Sequence, residues 1–179
     1  ASLFDLGVAT DAVRPGPEEG YRACQHASSG PIDQGSVGAG TGATVAKLRG
    51  MERAIKGGLG TSSIDLGDGL TVGAIAAVNA VGGIFDPDTG VLVAGPRRDD
   101  DTSMHDSMEL LMAPGLELHA PWGPSANTTI GVVTTNARLT KVEATLLAAS
   151  AHDGLAWAVR PAHPLHDGEW RDNKRNGRG

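Results

Sequence analysis

The apolar positions form three distinct kinds of run. Residues 62–95, "SSIDLGDGLTVGAIAAVNAVGGIFDPDTGVLVAG", join β-branched and small apolar stretches through two turn signals, "GDG" and "DPDTG", and predict a three-strand meander. Its central run, Thr71 to Val81, is apolar at odd and even positions alike, which predicts a strand covered on both faces. "TTIGVVTT", from Thr128, has β propensity and a period of two. "LTKVEATLLAASAHDGLAWAV" is the clearest helix. Thr140 and Glu143 make a capping box, and Val142, Leu146, Ala149, Ala156 and Val159 mark one apolar face with a gap at Asp153.

Polar stretches and glycines punctuate these runs. "ASLFDLGVA" reads as a strand, and "GPEEGYRACQHAS" as a short helix with Pro17 in its first turn and Glu18 and Glu19 complementing the helix dipole. "GSVGAGTGATVAKLRG" is dense in glycine. Residues 96–126 turn charged, then Met-rich, then Pro-rich, and read as an exposed loop with at most one short helix around Met104 to Met112. The tail "EWRDNKRNGRG" is polar and basic and reads as disordered. No internal repeat is visible.

Composition narrows the class. The 179 residues are one domain's worth of chain. A net charge of -6 without a basic stripe argues against nucleic acid and against an anionic membrane surface. No apolar stretch approaches the ~20 residues of a spanning helix. "ASLFDLGVATDA" lacks the positive start of a signal peptide, and Cys24 is the single cysteine, so a reducing compartment such as the cytoplasm fits. The opening without Met and the atypical tail read as a fragment. Glycine, at 26 residues, sits inside apolar segments and predicts tight turns and close backbone approach in a layered fold.

Four constellations carry candidate chemistry. Asn127-Thr128-Thr129 reads three ways: a glycan acceptor, plain loop-to-strand chemistry, or a self-processing bond. In the third, the Thr128 hydroxyl attacks the carbonyl before it, the ester hydrolyses, and Thr128 becomes a new N-terminus whose amine lies beside its own hydroxyl as a base. "VGAGTGAT", Val37 to Thr44, superficially satisfies a dinucleotide fingerprint but lacks a preceding strand, so a crowded structural turn is favoured. Asn79 interrupts an apolar run and needs hydrogen-bond partners as a strut; its amide is also an oxyanion donor, and Lys47 can move a proton or stabilise charge. In "PAHPLHDGEW", His163 and His166 with Asp167 and Glu169 hint at a metal, but the spacing is loose and no further ligand cluster stands elsewhere, so no metal or other cofactor is expected. Asp167 and Glu169 flank a glycine, where they can orient a nucleophile or simply line a solvated turn.

The stretches "GSVGAGTGATVAKLRGMERAIKGGLGTSS", "VGAIAAVNAVGGIFDPDTGVLVAG" and "NTTIGVVTTNARLTKVEA", followed by "AHDGLAWAVRPAHPLHDGE", together resemble the P1 family peptidases. These are the self-cleaving L-aminopeptidase, D-amidase and D-esterase group, akin to the nylon-oligomer and pantetheine-type amide hydrolases. The resemblance implies an α+β fold, a four-layer α-β-β-α sandwich similar to ornithine acetyltransferase, here incomplete at both ends. It implies a partial catalytic domain over residues 1–169, with a first-subunit part at 1–127, a pre-cleavage loop at 96–126, a second-subunit part at 128–169 and an atypical tail at 170–179. It implies a cut between Asn127 and Thr128, with Thr128 as nucleophile, Asn79 as the oxyanion-side amide, Lys47 as its support, and Asp167 and Glu169 as the acidic pair near the new amine. The expected activity is hydrolysis of small peptides or amides through an acyl-enzyme. The expected assembly is a homo-oligomer when full length.

Phe4 stands where several relatives of that group have a Tyr whose hydroxyl aids the site. Two alternatives follow from different chemistry: acyl transfer to an amine, as in the ornithine acetyltransferase branch, and a non-catalytic remnant or binding module, which Phe4 and the tail favour.

Overall fold

The computed structural model describes residue 12, residues 14–115 and 127–163, and the backbone of 170–171 and 174–175. Within these residues, helices and antiparallel sheets mix, as the α+β reading expects. Helix α1 (Pro17–Gln25) starts where Glu19 Oε2 accepts the Gly16 N–H at 2.8 Å. Strands β1 (Thr44–Val45) and β2 (Ile55–Lys56) form a short antiparallel pair. Strands β3 (Gly58–Asp65) and β4 (Thr71–Val78) form a hairpin, and β5 (Gly83–Phe85) and β6 (Leu92–Ala94) form a second one. Helix α2 (Ser107–Met112), strand β7 (Ile130–Thr135), helix α3 (Lys141–Ala158) and strand β8 (Val159–Arg160) follow, with β9 (Trp170–Arg171) and β10 (Lys174–Arg175) pairing near the end.

Both predicted turns are present. In the first, Gly67, Asp68 and Gly69 all take positive φ, and Asp65 Oδ1 accepts the Gly67 N–H at 2.8 Å. In the second, Asp86 Oδ1 accepts the N–H groups of Asp88 and Thr89, and Gly90 takes φ +71°. The meander itself does not form. The hairpins enter different sheets, β3-β4-β7 and β6-β5-β8. The cause lies between them. After Val78 the backbone leaves its ladder, and the carbonyls of Val81 and Gly82 accept from Lys47 N and Ala46 N, each at 2.8 Å. That crossing packs Val45, Ala46, Ala80, Ala94 and Val159 into the core.

Two further expectations are corrected. Strand β4 is not covered on both faces: Ala77 alone is buried along it, while Thr71 and Ala74 are exposed. The capping box of α3 is as expected, with Thr140 Oγ1 accepting the Glu143 N–H at 3.3 Å and Glu143 Oε2 accepting the Thr140 N–H at 2.8 Å. Its inward face, however, is Leu147, Ala151, Leu155 and Ala158, which at about 100° per residue lie on nearly the opposite side from Val142, Leu146, Ala149 and Ala156. Of the predicted stripe only Val159, just past the helix end, is buried. Val142 and Leu146 face outward, 69% and 61% exposed. The helix is apolar around most of its girth, so the pattern does not select a side.

The stretch from residue 96 is also more tightly held than a free loop. Helix α2 lies inside the predicted span, with Asp106 Oδ1 accepting the Met108 N–H at 2.7 Å. Pro96 and Ser107 are fully buried. Arg53 bonds the Arg98 carbonyl and Asp101, and Arg49 bonds Asp99, which ties residues 97–101 to residues 49–53. No described helix is long and apolar enough to cross a membrane.

Gly57 sets how closely β1 approaches the end of β4. Its N–H donates to the Ala43 carbonyl at 2.8 Å, and a Cβ there would run into the Val78 carbonyl oxygen and sit 3.2 Å from Thr44 N. These are backbone atoms that cannot rotate away. Gly57→Ala is therefore expected to lower the unfolding free energy by about 1–3 kcal/mol, the range for overpacking. Urea titration checks this; an unchanged midpoint contradicts the close approach.

Candidate functional site

The crossing after β4 brings together three polar side chains that lie far apart in sequence. Asn79 is wholly buried, so its carboxamide must be satisfied internally. Its Oδ1 accepts the Lys47 Nζ at 2.6 Å and the Thr44 N–H at 3.1 Å. The Thr44 hydroxyl lies 3.4 Å from the same oxygen and 3.8 Å from Met51 Sδ. Lys47 then reaches on to a second carboxamide, donating to Asn127 Oδ1 at 3.0 Å. The ammonium thus bridges Asn79, on the turn after β4, to the residue that opens the approach to β7.

Sheet register places Thr128 at the same end. Strands β4 and β7 pair antiparallel with Ala77 opposite Ile130. Asn79 follows that last pair by two residues and Thr128 precedes it by two, so both lie just past this end of the pairing. Thr128 is half-buried.

Burial dominates the electrostatics. Lys47 is 7% exposed, and loss of hydration lowers its pKa from the ordinary 10.5 to about 8. Near neutral pH the site therefore holds a cation that gives up its proton within reach of physiological conditions. Such an arrangement can polarise a nearby carbonyl, or take and return a proton during acyl transfer.

Of the residues singled out from sequence, Lys47, Asn79 and Asn127 meet. Asp167, Glu169, His166 and Phe4 lie outside the described residues. His163 is exposed and its ring centroid lies 5.9 Å from that of His152. Among the described residues no group of three His, Cys, Asp or Glu could hold a metal ion. The glycine run 37–44 forms a tight 3-10 turn at Gly38–Gly40 and leads into β1, with no helix to receive a dinucleotide phosphate. Thr44 was not a sequence candidate. A threonine in a glycine-rich run carries no local mark of its partner, which is 35 residues away.

Comparison with known proteins adds a family. The model described as peptidase family S58 matches residues 2–171. An uncharacterized aminopeptidase of Mycobacterium leprae is 40% identical over 176 residues, covering 94% of this chain and 46% of the relative. An uncharacterized aminopeptidase of Mycobacterium tuberculosis is 38% identical over 172 residues, covering 94% and 47%. A 6-aminohexanoate-oligomer endohydrolase of Agromyces is 30% identical over 171 residues, again covering 94% and 47%. The chain spans about half the length of these curated relatives.

The buried lysine yields a pH signature. Its folded pKa lies below its unfolded value, so between about pH 8 and 10.5 the unfolded chain binds more protons and stability rises with pH. Lys47→Met leaves Asn79 Oδ1 its Thr44 donors and removes that rise. Urea unfolding is expected to show wild-type stability rising relative to the variant between about pH 8 and 10.5, with equal slopes below and above that window. Parallel curves throughout contradict a desolvated Lys47.

Proposed function

The chain belongs to peptidase family S58, and on that premise we propose that it is the catalytic portion of a self-processing amide hydrolase with Thr128 as nucleophile. The observation that carries the reading is the bridge from buried Asn79 through Lys47 to Asn127, the residue directly before Thr128. The names of the relatives, aminopeptidase and oligomer endohydrolase, belong to amide-bond chemistry of the same kind.

In self-processing, Thr128 Oγ1 adds to the Asn127 carbonyl carbon and passes its proton to the departing nitrogen. The peptide C–N bond breaks, leaving an ester between Asn127 and the Thr128 oxygen and a free Thr128 amine. Water hydrolyses the ester to the Asn127 carboxylate and restores the Thr128 hydroxyl. In turnover the same oxygen attacks a substrate amide, with the Thr128 amine as base. The amine product leaves with the proton, and water releases the acyl group as a carboxylic acid.

Asn79 serves as oxyanion donor through Nδ2, since its oxygen is committed to Lys47 and Thr44. Lys47 holds positive charge beside the reacting carbonyl. Asp167 and Glu169 orient the Thr128 amine, on the resemblance to the self-cleaving aminopeptidases. In this reading the complete protein is a cytoplasmic homo-oligomer built on a four-layer α-β-β-α sandwich. The outward Val142, Leu146 and Trp157 of α3 are surfaces that such layers and subunit contacts would cover.

Intact mass and N-terminal sequencing of purified protein test the reading. The expected result is two pieces meeting between Asn127 and Thr128, with Thr128→Ala remaining whole. A wild-type chain that stays uncut contradicts it. In cut protein, Asn79→Ala is expected to lower kcat for amide hydrolysis by about 10²–10³, the cost of one oxyanion donor. A fall within threefold removes Asn79 from that role.

A further inference from the structure

We propose that the Lys47 ammonium lines the acyl-side subsite of this enzyme. Substrates whose acyl residue carries a short carboxamide side chain, as asparagine does, are then preferred over apolar ones of the same size. The inference rests on the reading of Thr128 as nucleophile and names the substrate class that its site takes.

Self-processing is the site's own first turnover. When Thr128 Oγ1 adds to the Asn127 carbonyl carbon and the C–N bond breaks, the ester that forms is an acyl-enzyme whose acyl residue is asparagine. Hydrolysis of that ester frees the Asn127 carboxylate as the first product. A substrate attacked by the same oxygen must bring its carbonyl carbon to the same place. The side chain next to that carbonyl then falls where the Asn127 side chain lies. The surroundings of Asn127 in the uncut chain are therefore those of the acyl-side subsite.

Asn127 meets a donor there. Lys47 Nζ gives a hydrogen bond to Asn127 Oδ1 at 3.0 Å. The lysine is held in place before any substrate arrives. Its main-chain N–H donates to the Val81 carbonyl at 2.8 Å, its carbonyl accepts the Gly50 N–H at 2.9 Å, and its Nζ lies 2.6 Å from Asn79 Oδ1. Lys47 is 7% exposed and Asn127 is half-buried, so water competes weakly for the contact. An acyl residue with a carbonyl oxygen on Cγ takes this bond. Leucine, nearly the same size and shape, presents only methyl groups to the ammonium. Sites that hydrogen-bond a polar group reject analogues lacking it far more strongly than apolar pockets separate analogues by one methylene. Whatever other bonds Lys47 makes, this one is available to asparagine and closed to leucine.

The test uses cut wild-type protein and two substrates, the p-nitroanilides of L-asparagine and L-leucine. kcat/KM is expected to favour the asparagine compound by about tenfold or more, the worth of one hydrogen bond to a charged group. A ratio within about threefold of unity, or a preference for leucine, overturns the proposal. Self-processing offers the same comparison inside the chain. Asn127→Leu is expected to cut itself at least about tenfold more slowly than the wild type, and equal rates overturn the proposal. A third measurement needs no catalysis. In Thr128→Ala protein labelled with 13C at lysine, the titration of Lys47 Cε is followed by NMR with Asn127 kept, with Asn127→Asp and with Asn127→Leu. A carboxylate beside the ammonium favours its charged form, so Asn127→Asp is expected to raise the midpoint above that of Asn127→Leu by about one pH unit or more. Identical midpoints mean that the side chain at 127 does not meet Lys47, and overturn the proposal. Should the wild type neither cut itself nor hydrolyse amides, the reading of Thr128 fails, while the midpoints still decide whether Lys47 reads the side chain on the acyl side.

Discussion

Asn79 Oδ1 lies beyond the reach of water, and everything at the candidate site is arranged around satisfying it. A buried amide oxygen left without donors costs on the order of 1–3 kcal/mol. Here the donors are a strand N–H and a lysine ammonium, which draws the lysine out of water in turn. The desolvation is what lowers the Lys47 pKa to about 8. The same ammonium then spans to Asn127. A structural requirement at one residue therefore creates a titratable, solvent-shielded charge beside the start of β7.

The fold delivers this arrangement through backbone more than side chains. The carbonyls of Val81 and Gly82 bond to Lys47 and Ala46 instead of continuing the β4 ladder. That single departure splits the two hairpins between sheets, builds the small core around Val45, Ala80 and Val159, and turns Asn79 toward Lys47. Close approach of β1 depends on Gly57, where a side chain has no room. The core is made largely of alanine and valine, so it tolerates little displacement before the polar contacts lengthen.

Local features were legible in the sequence, and contacts set by topology were not. Thr140 and Glu143 announced the start of α3, and the turns at Gly67–Gly69 and Asp86–Gly90 were readable from their residues, because each signal acts within a few positions. The inward face of α3 was misread because apolar residues line most of its surface, so only packing chooses Leu147 and Leu155 over Val142 and Leu146. The break in the meander depends on bonds to Ala46 and Lys47 that no local pattern encodes. Asn79 stood out as a polar residue in an apolar run, Lys47 as the basic residue after the glycine run and Asn127 as part of Asn127-Thr128-Thr129, while their shared roles came from the resemblance. Thr44 carried no mark, since what matters there is its main-chain N–H, which every residue except proline possesses.

The central claim is that Thr128, which like Asn79 lies just past the end of the β4–β7 pairing, carries the nucleophilic oxygen. Its most direct measurement is covalent capture. The protein is incubated with an activated ester of a small amino acid, quenched in acid and digested, and the acylated residue is located by mass spectrometry. The account predicts a single stoichiometric acyl group on the Thr128 oxygen, absent from Thr128→Ala. Acylation at another residue, or labelling that Thr128→Ala retains in full, would contradict it.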